Sequence, residues 1–138
     1  MIEKLAIYNL FRTFDMYLNV SQTETWQQNM EKLVAQLKKI ARQHPQGFTV
    51  FLPSLEHAAK GWVIALAETQ DSFGDEGLRK VIETAQRKGA AVGGWKHEGK
   101  FYYDASIIIE EEAEAMKLGR ENKQIAIYNI ETGKYIKL

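Results

Sequence analysis

The sequence predicts an α+β fold: a ferredoxin-like split βαβ unit, with a mainly antiparallel sheet and helices on one face, preceded by an N-terminal helical pair. Three observations carry this. Residues 1–45 show helical periodicity, residues 48–138 alternate short β-rich runs with helical stripes, and the order from Gly61 onward reads strand, helix, strand, strand, helix, strand. At 138 residues the chain is one domain by size, long enough to bury a core without disulfides or metals.

In the first segment Ile7, Leu10, Phe11, Phe14 and Leu18 recur at spacings of three and four, one face of a helix. Ser21 or Thr23 offers an N-cap for a second helix. Its apolar stripe is Trp26, Met30, Leu33, Leu37 and Ile40, opposite Gln27, Gln28, Glu31, Lys32, Lys38 and Lys39. His44-Pro45-Gln46-Gly47 stops that helix, because a residue before proline is pushed out of the helical region.

Phe48-Thr49-Val50-Phe51-Leu52 is a short β-rich run ended by Pro53, and Trp62-Val63-Ile64-Ala65-Leu66-Ala67 suits a central strand. Leu78, Val81, Ile82 and Ala85 mark a third helix, capped in front by Asp71 or Ser72 and closed by Arg87-Lys88-Gly89. Residues 90–95 and 101–109 form a hairpin about His97-Glu98-Gly99. A fourth helix starts in the run of Glu110, Glu111, Glu112 and Glu114, where negative charge suits the macrodipole. It turns Ala113 and Met116 inward and ends with Asn122 as a left-handed cap near Glu121. Residues 124–130 and 134–138 make a last hairpin about Glu131-Thr132-Gly133.

Composition excludes several classes. The chain has no cysteine, hence no disulfide, thiolate metal site or thiol nucleophile. Eighteen basic residues balance eighteen acidic ones, so no bulk field draws nucleic acid or anionic lipid. No apolar run approaches a membrane span, and Met1-Ile2-Glu3-Lys4-Leu5 does not open a secretory signal. A cytoplasmic location is the expectation.

The three imidazoles, His44, His57 and His97, lack the short helical spacing of a metal face. There is no Gly-x-Ser-x-Gly elbow and no phosphate loop. The sequence therefore implies no catalytic residue, metal or cofactor. If a pocket exists at the sheet edge, Glu68, Asp71, His97 and Asp104 are its candidates, with Glu68 and Asp104 as the acid–base pair.

The hairpin offers a better lead. Trp95, Lys96, Lys100, Phe101 and Tyr103 are candidate binding residues, because alternation places Phe101 and Tyr103 on one sheet face and Tyr102 and Asp104 on the other. Aromatics on an open sheet face suit base stacking, so single-stranded nucleic acid is an alternative ligand, opposed by Asp104 and the zero net charge. The stripe of Trp26, Met30, Leu33, Leu37 and Ile40 is long enough to pair with a second copy, so the chain is read as a monomer or a homodimer through that helix.

The segments Gly94-Trp95, Gly99-Lys100-Phe101-Tyr102-Tyr103-Asp104-Ala105-Ser106 and 113–128, with Glu68-Thr69-Gln70-Asp71-Ser72-Phe73-Gly74 upstream, resemble a pattern in small uncharacterised proteins of bacteriophages and other bacterial mobile elements. The resemblance spans residues 61–132, about half the chain. It implies a bacterial or phage setting and an accessory role, and it brings no activity and no catalytic residue. The functional expectation is a small non-enzymatic accessory protein that binds another macromolecule, most simply a protein. The alternatives are a small-ligand binder or enzyme with a pocket at the sheet edge, and single-stranded nucleic-acid binding.

Overall fold

The computed structural model of the chain describes residues 19–138, with side chains from residue 25 onward. The first helix of the expected N-terminal pair, residues 7–18, lies outside the described residues. Within them the fold is α+β, with three α-helices and one seven-stranded antiparallel sheet.

The second expected helix is α1 (Asn19–Gln43). Met30, Val34, Leu37 and Ala41 are its buried positions, with Leu33 and Ile40 at the margin. Trp26, read as the start of the stripe, is instead 56% exposed; it precedes the first turn that meets the core. Beyond His44 the chain turns through Pro45 and Gln46 into β1 (Phe48–Val50).

β2 (Trp62–Ala65) is shorter than its apolar run because a 3-10 turn (Ala67–Thr69) interrupts the strand. The line resumes as β3 (Ser72–Phe73), which the sequence reading treated as loop. Both β2 and β3 pair with the same long strand, β5 (Lys100–Ile109). Thr69 repairs the gap between them. Its buried hydroxyl accepts the Ala105 N–H at 3.0 Å and donates to the Leu66 carbonyl at 3.2 Å, so it replaces the ladder acceptor that the turn removes.

α2 (Gly74–Lys88) follows directly, and neither Asp71 nor Ser72 caps it. Phe73 holds the N-cap position without a side-chain bond, and Ser72 is buried in β3, where pairing with Tyr103 consumes it. The expected C-terminal cap is present: Gly89 adopts φ 63° and donates to the Ala85 carbonyl. β4 (Ala91–His97) and β5 then form a hairpin with Glu98 and Gly99 both at positive φ, the backbone of a two-residue primed turn.

α3 (Glu112–Glu121) buries Ala115 and Gly119, not Ala113, which is exposed. Ala113 therefore departs from the sequence reading, whereas Met116 packs against the core as expected, with Leu118 beside it. Asn122 stays at φ −91°, and Lys123 takes the left-handed conformation instead. The Asn122 side chain is committed elsewhere: it accepts from Ala67 N–H at 3.1 Å and donates to the Leu118 carbonyl at 3.0 Å. That fork ties the end of α3 to the 3-10 turn. β6 (Ala126–Asn129) and β7 (Tyr135–Lys137) close the chain as a hairpin.

The strand order is β1-β4-β5-β2-β6-β7, with β3 beside β5 at the end of β2, and every pairing is antiparallel. All three helices lie on one side. α1 and α2 bury Leu37, Leu78, Val81 and Ile82 against Phe48, Val50, Val92, Tyr103 and Ala105. α3 packs Ala115 on Trp62, Ile64 and Ile127. Between α1 and α2, Arg79 meets Glu31 at 2.8 Å and Lys38 meets Asp75 at 3.0 Å; these exposed pairs add little beside the buried aliphatics.

Candidate functional site on the open face of the sheet

Among the described residues all the helices lie on one face of the sheet, and the pairing register shows what the other face carries. Side chains alternate along each strand, so residues joined across the strands form rows. At the hairpin end, Trp95 pairs with Tyr102, and Tyr102 pairs with Phe73. The rings are in contact: Trp95–Tyr102 and Phe73–Tyr102 centroids are each 5.9 Å apart, and His97 extends the series 5.1 Å from Trp95. Trp95 is 46% exposed and Phe73 49%. Lys100 lies 4.7 Å over the Phe73 ring.

The next row is Thr49, Gly93 and Asp104. Beyond it come Ser106 and Ala65, with Ala126 continuing the line on β6. The far row holds Ile108, Val63, Tyr128 and Tyr135, with the two tyrosine rings 4.8 Å apart. Two large-residue ridges thus flank two rows of small residues. The result is an open cleft of about 600 Å³, with Asp104, Ser106, Gly93, Ala65 and Ala126 in its lining and His57 and Gln124 at its margin.

Asp104 is the one acidic side chain in this lining, and it sits there because Gly93 lacks a side chain. A Cβ at position 93 would lie 2.7 Å from the Asp104 Oδ1 atom. Ser106, fully buried, donates its hydroxyl to that same oxygen. Burial raises the Asp104 carboxyl above its ordinary value, and the Ser106 hydrogen bond opposes this in part. Among the described residues no lysine, arginine or histidine forms an ion pair with it.

Comparison of the chain with protein-family models, curated proteins and solved structures found no match.

The structure divides the five hairpin candidates between the two faces. Trp95 and Lys100 belong to the open side. Phe101 and Tyr103 point the other way, packed with Phe48 in the helix-covered core, Tyr103 at only 7% exposure. Burial accordingly raises the Tyr103 phenol above its usual range. Lys96, across from Phe101, is exposed at the rim of that side. Both rings thus lie on the helix-covered side, Tyr103 buried and Phe101 half-buried. The aromatics the sequence reading passed over are Tyr102, Phe73, Tyr128 and Tyr135. Tyr102 was legible from strand alternation, whereas Phe73 needed β3 to be recognised as a strand.

The four residues read as an edge pocket do not assemble. Asp104 lines the cleft, but Glu68 is held at the 3-10 turn by Lys88 at 2.7 Å and Arg87 at 2.6 Å. Those two hydrogen bonds, Lys88 first, lower its carboxyl below the usual value. Asp71 is an exposed turn residue at φ 60°, and His97 sits at the hairpin tip, 3.7 Å from Glu98. His44 and His57 do approach each other, with ring centroids 4.9 Å apart, at the β1 margin of the cleft. Among the described residues no three His, Asp or Glu side chains converge as metal ligands, and no helix is long and apolar enough to cross a membrane.

Proposed function

We propose that this chain is a small non-enzymatic accessory protein that binds a partner protein through the open face of its sheet. One observation carries the reading: a small-residue trough lies between two ridges of large side chains, Trp95–Tyr102–Phe73 and Tyr128–Tyr135, on a face that none of the helices among the described residues covers. Exposed aromatic surface of this kind is costly in water and marks interaction sites. Rigid strands hold its members in place without loop ordering, which lowers the entropic cost of association.

The order β4-β5-β2-β6, with α2 and α3 on one side, supports the ferredoxin-like split βαβ description. The same reading keeps the protein in the cytoplasm of a bacterial or phage-infected cell, where the resemblance of residues 61–132 points.

A photo-crosslinking amino acid placed at Trp95, Tyr128 or Lys80 in the full chain tests the surface. Lys80 lies on α2, on the opposite layer. Expressed in a bacterial host carrying the native neighbouring genes, positions 95 and 128 are expected to yield one common heavier adduct. Adducts from position 80 alone would overturn the open-face assignment.

A further inference from the structure

The open-face reading leaves the chemistry of the occupant unnamed, and the floor of the trough supplies it. Resting on that reading, we infer that the trough receives an extended partner segment whose central lysine or arginine seats its cationic head on Asp104.

The first argument is charge. Asp104 stands in a floor otherwise built from Thr49, Gly93, Ala65, Ser106 and Ala126. A carboxylate withdrawn from water without a cation is unfavourable, and an incoming ammonium or guanidinium relieves that cost. Among the described residues the Ser106 hydroxyl bonds Oδ1, and no side chain bonds Oδ2. The second argument is shape. A methyl group at position 93 would collide with the carboxylate, so glycine keeps the floor open where the cation must enter. The ridge beside this row presents the faces of Trp95 and Tyr102, surfaces on which an aliphatic stem or a guanidinium packs well.

The third argument is length, and it selects a protein segment over a free amine. From Ala126 on β6 to Thr49 on β1 the trough crosses five strands. At the usual strand spacing this is roughly 19 Å, enough for about six residues of extended chain. A small amine would use one spot of it. The neighbouring basic groups do not compete for the seat: Lys100 is engaged over Phe73, and His57 lies at the β1 margin against His44.

The test uses the full chain, labelled for backbone amide NMR, and the peptide acetyl-Ala-Tyr-Lys-Tyr-Ala-amide. Matched peptides carry norleucine or glutamate in place of lysine, and n-butylamine serves as the free amine. The lysine peptide is expected to shift the amides of Gly93, Asp104, Ser106 and Ala126 and to bind at least tenfold tighter than the norleucine peptide. Asp104→Asn is expected to erase that preference while leaving norleucine binding unchanged. Equal or tighter binding of the norleucine or glutamate peptide at these amides would sink the cation assignment and leave the open-face reading standing. If n-butylamine binds as tightly as the lysine peptide, the occupant is a small amine and the protein-segment assignment is wrong. Shifts confined to α1 and α2, or none, would overturn both readings. The lysine–norleucine comparison on the unmodified chain decides the matter even if Asp104→Asn fails to fold.

Discussion

At the scale of single residues the molecule holds two carboxylates with opposite biases. Glu68 is drawn below its ordinary value by Lys88 and Arg87, and it supports the folded state through an exposed, salt-sensitive contact. Asp104 is pushed upward by burial. A folded-state value above the unfolded one means that the folded chain binds the proton more tightly. Stability is then greatest below the unfolded value, declines as pH rises through the folded value, and stays flat above it. Asp104→Asn keeps an acceptor for the Ser106 hydroxyl and removes that decline. The variant is expected to melt roughly 2–5 °C higher at pH 7.5, the shift that about 1 kcal/mol produces in a domain of this size. The gain should shrink toward pH 3.5, and melting curves at both pH values check it. That gain would measure the cost of keeping a carboxylate on the floor of the proposed binding trough.

At the scale of elements, the packing of α3 rests on a glycine. Gly119 faces the sheet so closely that a Cβ there would sit 2.9 Å from Ile127 Cγ2 and 2.5 Å from Leu138 Cδ1. The Leu138 contact is with Cδ1, the far end of a flexible side chain that can turn aside. Ile127 is β-branched, 1% exposed and fixed in β6, so it cannot. Gly119→Ala is expected to cost about 1–3 kcal/mol by overpacking, despite the better helix propensity of alanine. Chemical denaturation measures it, and a neutral or stabilising result would mean that α3 rides higher on the sheet than described. α1 depends on ordinary burial instead. Its buried face is Met30, Val34, Leu37 and Ala41, while Trp26 lies outside that cluster and lines an outer groove with Arg79, Lys80 and Glu83 of α2.

At the scale of the whole molecule, the question is which sheet face is covered. The three tryptophans report on it. Trp62 points into the helix-covered layer at 4% exposure, whereas Trp95 lies on the open face and Trp26 on the outer end of α1. In variants retaining one tryptophan each, acrylamide is expected to quench Trp95 and Trp26 strongly and Trp62 weakly. Strong quenching of Trp62 with protection of Trp95 would invert the layer assignment. A lysine peptide bound in the trough should protect Trp95 and leave Trp26 unaffected, linking this measurement to the proposed partner surface.

Much of this architecture was legible in the chain order of its residues. Hydrophobic period and punctuation by Pro45, Pro53, Gly89 and Gly99 located α1, α2, α3 and the β4–β5 hairpin, because periodicity and turn chemistry are local properties that neighbours in sequence impose on each other. Alternation also placed Tyr103 and Asp104 on opposite faces. What neighbours cannot impose is partnership across distance. β3 is a strand only because β5 continues past the end of β2, and the inward face of α3 is set by where Gly119 meets Ile127. Phe101 and Tyr103 became core, and Trp95, Tyr102 and Phe73 became surface, once the helices settled on one side of the sheet. That choice belongs to the tertiary structure, because either face of an aromatic hairpin can be buried and only the summed apolar area of α1, α2 and α3 against Val50, Val92 and Ala105 decides which one is.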